Sequence, residues 1–212
     1  MIKNLFQTKN NIKKYSTYEK IENLFDSLQK EVITIDLGED LLQFKDSVIA
    51  EIGEIREQIK DECGFIMPPV ELRANYAIQE NEFNIFIQEK LVESRFAVPT
   101  ENGLKEEIYE GIKNAIYNNL DIVFTNELTE KYINTVKKNN SILIWNVTNI
   151  LSVVDIKTIL SDIIFKGNSI QNINYIFEKI GEYVLSEGIN NNSYKRFNPH
   201  AISQAISKYL YK

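Results

Sequence analysis

Apolar residues recur every three or four positions over residues 48–63, where Val48, Ile49, Ile52, Ile55 and Ile59 face Glu51, Glu54, Arg56, Glu57 and Lys60. That spacing predicts one amphipathic helix with a solvated charged face. Gly64 suits a left-handed helix end, and Pro68-Pro69 cannot continue a helix. The period then changes to two. Val70, Leu72, Ala74, Tyr76 and Ile78 alternate with polar neighbours, and Phe83, Ile85 and Ile87 do so again after Gln79-Glu80-Asn81. Two such runs around a short polar break predict a hairpin, without the Asn-Gly type of turn. Upstream, Val32, Ile33, Ile35 and Leu37 predict a strand ending at Gly38, and Ile21, Leu24, Phe25 and Leu28 a helix capped by Ser16 or Thr17.

Residues 93–103 read as a connector broken by Pro99 and Gly103, and beyond it the period stays helical. Leu104, Ile108, Ile112, Ala115 and Ile116 form one stripe. Leu128, Tyr132, Ile133 and Val136 form another, started by Thr125 or Asn126. Residues 142–147 are a short apolar segment holding the only tryptophan, Trp145. Ser152 and Asp155 have capping-box spacing before Ile156, Ile159, Leu160, Ile163 and Ile164, with Gly167 as the stop. A further helix is expected from Ser169 through Val184, a loop over residues 190–193, and a last helix opened by Asn198-Pro199. The fold class expected is α+β: a small N-terminal sheet with covering helices, followed by an all-helical C-terminal bundle. Its parts are an N-terminal helix (1–30), an α+β subdomain (31–98) and a helical subdomain (104–212).

Composition narrows the function. The 212 residues suffice to bury about 70% of the unfolded surface. A net charge of −6, with Lys13-Lys14 and Lys137-Lys138 short and isolated, argues against a nucleic-acid partner. A single cysteine, Cys63, excludes an internal disulfide and fits a reducing compartment. No apolar run is long enough to cross a bilayer, and the first residues lack a signal-peptide core, so a soluble cytoplasmic protein without direct membrane insertion is expected.

Candidate chemistry is sparse. His200 is the only histidine and stands without partners at metal-ligand spacing, which leaves it a surface or capping role. Asp61 and Glu62 beside Cys63 disfavour a thiolate, so a partly buried structural cysteine is expected. Glu51/Glu54 and Glu106/Glu110 fall on solvated helix faces, and no glycine-rich phosphate loop exists. No catalytic residue, cofactor or metal site is assigned, and a non-enzymatic protein is expected.

One stretch carries a family pattern. Ile52-x-Glu-Ile-Arg-Glu-Gln-Ile-Lys-Asp-Glu-Cys-Gly-Phe-Ile-Met-Pro-Pro-Val-Glu-Leu-Arg-Ala-Asn75, followed by Asn81-Glu82-Phe83-Asn84-Ile85, resembles the first cytosolic subdomain of the FlhA-like (FHIPEP) family, the export-gate proteins of flagellar and virulence type III secretion. Ile35-Asp36-Leu37-Gly38 with Asp40-Leu41-Leu42 is similar to the family's Leu-Gly strand and Asp-Leu-Leu helix start. Leu151-Ser152 through Leu160, and Gly167 through Glu178, are similar to its helical segment. Gly64-Phe65-x-x-Pro68-Pro69-Val70 is the sharpest part. The family's Arg-Asp-Asn reads Arg73-Ala74-Asn75 here, losing an acidic group.

The resemblance implies a reduced, soluble version of the cytosolic domain. The membrane-spanning half, most of the subdomain between the strand at Val92 and the helix at Leu104, and the ring-building C-terminal subdomain are expected to be missing. It also implies a docking module for secretion chaperones, substrates or apparatus components, with Phe65, Pro68, Pro69, Arg73, Asn75 and Tyr76 as the partner-binding candidates. The plainer alternative makes Phe65, Val70 and Tyr76 core residues and the prolines a simple helix stop. A different function, an adaptor or regulator outside secretion that keeps only the export-gate core, as in a bacterial stress or conflict system, fits the same residues.

Overall fold

The inner strand of the sheet is β1 (Ile33–Leu37), and all five of its residues are buried. Period two puts Ile33, Ile35 and Leu37 on one face, with Thr34 and Asp36 on the other. The computed structural model describes residues 31–190 and 197–210. In it, β1 lies within a four-stranded sheet of order β2-β1-β3-β4, formed with β2 (Val70–Ala74), β3 (Glu82–Ile87) and β4 (Lys90–Phe96). β2 runs parallel to β1, Asp36 standing opposite Arg73; β3 and β4 complete the sheet antiparallel.

This order corrects the expected hairpin. β2 and β3 do not pair, because β1 lies between them. Residues 75–81 instead cross the end of β1: Asn75 N–H donates to Leu37 O, Gly38 N–H to Glu82 O and Asp40 N–H to Glu80 O. Gly38 is required at that crossing, since a Cβ there would lie 2.2 Å from Gln79 O. The hairpin joins β3 to β4 through Gln88 and Glu89, with φ of 47° and 66°, the left-handed pair that a two-residue turn between twisted strands demands. β4 therefore occupies part of the stretch expected to be a connector and runs to Phe96.

After a 3-10 turn (Glu39–Phe44), α1 (Lys45–Cys63) buries Val48, Ile52, Ile55 and Ile59. Ile49, expected on the same stripe, is exposed. Gly64 closes the helix at φ 75°. The remaining elements are α2 (Glu101–Asn118), α3 (Leu120–Val123), α4 (Asn126–Asn139), α5 (Ser141–Thr148), α6 (Val153–Phe165), α7 (Ile173–Asn190) and α8 (Pro199–Leu210). Thr100, Thr125 and Asn140 cap α2, α4 and α5, and Ser152 with Asp155 forms the reciprocal cap of α6. α2 packs on α1 and on β3 and β4, so it is the seam between sheet and bundle. Gly111 permits the close approach: a Cβ there would meet Ile85 Cδ1 at 3.1 Å. α6 packs on α4 and α8, and α7 on α5 and α8.

The α7 helix begins at Ile173, not at Ser169 as expected. Residues 169–172 are held across the end of α1, where Ile170 N–H donates to Cys63 O and the Gln171 amide to Asp61 O. Asn172 then caps the new start through Tyr175 N–H. From Val32 onward the chain forms one compact unit, with a single buried apolar cluster reaching from Ile33 to Ile206. The architecture is the α+β class expected. The helix expected around Ile21–Leu28 and the loop at 190–193, save for Asn190 at the end of α7, lie outside the described residues.

Candidate protein-docking surface

Parallel pairing of β1 with β2 brings one buried carboxylate to two side chains of the family-like motif. Asp36 Oδ1 accepts from Arg73 Nε at 2.8 Å, and Asp36 Oδ2 accepts from Asn75 Nδ2 at 2.9 Å. Asn75 Oδ1 in turn accepts from Ala77 N–H at 2.9 Å, an Asx turn that bends the chain out of β2. The Arg73 guanidinium lies 5.9 Å from the Phe86 ring centroid, on the sheet face away from the helices. Arg73 and Asn75 thus fasten residues 75–81 to the sheet. A charge-assisted clamp on a carboxylate that is only 7% exposed also satisfies an acid that burial would otherwise penalise.

The six partner-binding candidates separate by burial. Phe65 is 0% exposed and packs on Phe124 with ring centroids 5.6 Å apart, so it belongs to the core and not to the surface. Pro68 is half-buried, and Pro69 is exposed at the entry to β2. Arg73 and Asn75 come together on Asp36, and Tyr76, 73% exposed, projects beside them at the start of the loop. Asp36 is the neighbour of these candidates that residue patterning passed over. Its signal was an acid standing inside a strand of otherwise uncharged residues.

The Cys63 thiol, the Tyr132 phenol and the His200 imidazole each have a hydrogen-bond partner within the fold. The Cys63 thiol is buried, donates to Ile59 O at 3.2 Å, and is pushed up by that burial. Tyr132 OH donates to Gly64 O at 2.7 Å and accepts from Ile66 N–H at 2.9 Å, bridging the Gly64-Phe65-Ile66 turn; burial pushes its phenol up to about 12. His200 is exposed, and its Nδ1 lies 2.6 Å from Asp162 Oδ2. Ser203 Oγ lies 2.9 Å from the same carboxylate oxygen and 2.9 Å from His200 O, and accepts from Lys166 Nζ at 2.9 Å. The serine therefore faces Asp162 and not the imidazole, and the cluster fastens α8 to α6. Among the described residues no group of three His, Cys, Asp or Glu side chains is placed to hold a metal ion, and no helix is long and apolar enough to cross a membrane.

A small sheet with a helical bundle packed behind it is also the fold of the solved structures this chain resembles. The family model described as the FHIPEP family matches residues 3–104. A search of curated proteins found no match. Among solved structures, the Chlamydia pneumoniae CdsV protein superposes with a TM-score of 0.66 at 12% identity, covering 82% of this chain and 65% of that one. A chain of the Chlamydia pneumoniae CdsV and CdsO complex gives 0.70 at 13% identity, covering 84% and 70%. The nonameric EscV cytosolic domain from the type III secretion system gives 0.61 at 11% identity, covering 83% and 63%. The family match covers residues 3–104, and the chain shares the fold of type III secretion cytosolic domains through its helical half. It spans 65% of the length of the CdsV structure it matches.

Proposed function

We propose that this chain is a protein-docking module of type III or flagellar secretion that acts in the cytoplasm by binding and not by catalysis. The observation that carries this is the coincidence of the FHIPEP match with the fold of secretion-system cytosolic domains. CdsV has been solved together with CdsO, which supports another protein as the kind of partner here. The contact surface is Pro69, Arg73, Asn75 and Tyr76, with Pro68 and Phe65 beneath it. Clamping by Asp36 keeps the loop in one shape before a partner arrives, which lowers the ordering entropy lost on binding.

Tyr76 supplies the test, because it is an exposed aromatic outside the clamp. Purified chain is titrated by biolayer interferometry against the chaperones, substrates and apparatus proteins encoded beside it. The expected result is saturable binding to one of them, weakened about tenfold or more by Tyr76→Ala with the melting temperature unchanged. Binding that Tyr76→Ala leaves intact moves the surface elsewhere. Binding only to proteins outside any secretion apparatus replaces the secretion role with that of an adaptor.

A further inference from the structure

The second surface lies in the helical half, at the corner where α4 hands over to α5. Its sequence, Ser141-Ile-Leu-Ile-Trp-Asn-Val-Thr148, is apolar almost all round, more than a helix with one buried face requires. Ile144 and Val147 fill the core, and Leu143 packs against it opposite Gly181, where a Cβ would come within 2.9 Å of Leu143 Cδ1. That leaves Ile142 and Trp145, one helical turn apart, 73% and 64% exposed. They line a groove of about 420 Å3 with Lys137, Ser141, Ile144 and Thr148, a volume within the range of ligand-sized clefts.

Charge decides what the groove accepts. The chain carries −6 overall, yet Lys137 lines this groove and Lys138 follows it in the last turn of α4. Neither has an acidic partner among the described residues, like Lys45, Lys157 and Lys208 but unlike Lys60, Lys113, Lys131 and Lys179. Cations at a helix C-terminus complement its dipole, which accounts for one role of the lysines but not for the exposed tryptophan beside them. An apolar wall with a basic rim is complementary to an amphipathic helix whose apolar side chains are flanked by Asp or Glu. We infer that the α4–α5 groove docks an acidic amphipathic helical segment of another protein, with Ile142 and Trp145 taking its apolar side chains and Lys137 and Lys138 its carboxylates.

This site is separate from the Tyr76 surface, and its test does not depend on that one. Trp145 is the chain's only tryptophan, so its fluorescence reports the groove directly. The probe is a library of random helical peptides selected on the full chain, followed by synthetic copies of the enriched sequences. Enriched peptides should share apolar residues one turn apart with flanking acids. They should shift Trp145 emission to the blue and protect it from acrylamide, and bind more weakly as salt is raised. The double variant Lys137→Glu/Lys138→Glu should weaken binding about tenfold or more, and Ile142→Ser should abolish the shift, with circular dichroism unchanged in both. Enriched sequences without an acidic bias, or binding that leaves Trp145 emission unmoved, would overturn the inference. So would self-association in sedimentation runs that Ile142→Ser removes, since the occupant would then be a second copy.

Discussion

Tyr132 shows how much one hydroxyl can hold. It both donates and accepts within a three-residue turn, satisfying Gly64 O and Ile66 N–H where the chain leaves α1. Its phenol is raised to about 12 from the ordinary 10, because burial disfavours the phenolate. The unfolded chain therefore loses this proton first as pH rises. The stabilisation is fully present below pH 10 and drains away as pH climbs towards 12. The Cys63 thiol, also raised by burial, acts in the same direction. Tyr132→Phe should lower the unfolding free energy by about 1–3 kcal/mol at neutral pH and flatten its alkaline decline, as read by urea titration across that range. A decline as steep in the variant as in the parent would exclude the mechanism. Tyr132 was legible as a member of a helical stripe; its hydroxyl's task was not, since Gly64 and Ile66 lie far away in sequence.

At the scale of elements, ends were easier to foresee than partners. Thr125, the Ser152/Asp155 pair and Pro199 all stand where residue chemistry placed them, because a cap involves residues within one turn of each other. Gly64 was legible as a helix stop, but its second constraint was not. A Cβ there would lie 2.4 Å from Gln171 N, in the segment that crosses the end of α1 and delays α7 to Ile173. Gly64→Ala should therefore exceed the roughly 1 kcal/mol expected from a positive φ alone, falling nearer 3 kcal/mol by thermal or urea unfolding. A loss of 1 kcal/mol or less would show that the segment 169–172 yields freely. Alternation does not predict strand partners, because it names faces and not neighbours. Gln88-Glu89 is an unmarked turn, and β1, contributed from far upstream, separates β2 from β3.

Across the whole molecule, sheet and bundle share one core. Phe65 packs tilted against Phe124, which stacks in turn on Tyr132 at 5.6 Å, and α2 bears on both β3 and β4. The unit from Val32 should consequently unfold in one step. Phe65→Ala, emptying a fully buried site at the junction, should cost about 3–5 kcal/mol. Trp145 fluorescence in the bundle and the amide-I strand band of the sheet should move together in urea, before and after that substitution. Two separated transitions would show that the halves are independent.

Local chemistry alone was enough to determine the helical stripes, most helix ends, the α+β class and the FHIPEP-like motif, for each depends on residues close together in the chain. Tertiary structure decided the rest. Parallel pairing with β1 turned Arg73 and Asn75 into a clamp on Asp36, packing against Phe124 withdrew Phe65 from the surface, and the lie of α5 left Trp145 open to solvent. Those outcomes depend on contacts between residues distant in sequence, whose loop-closure entropy and competing partners no local pattern encodes.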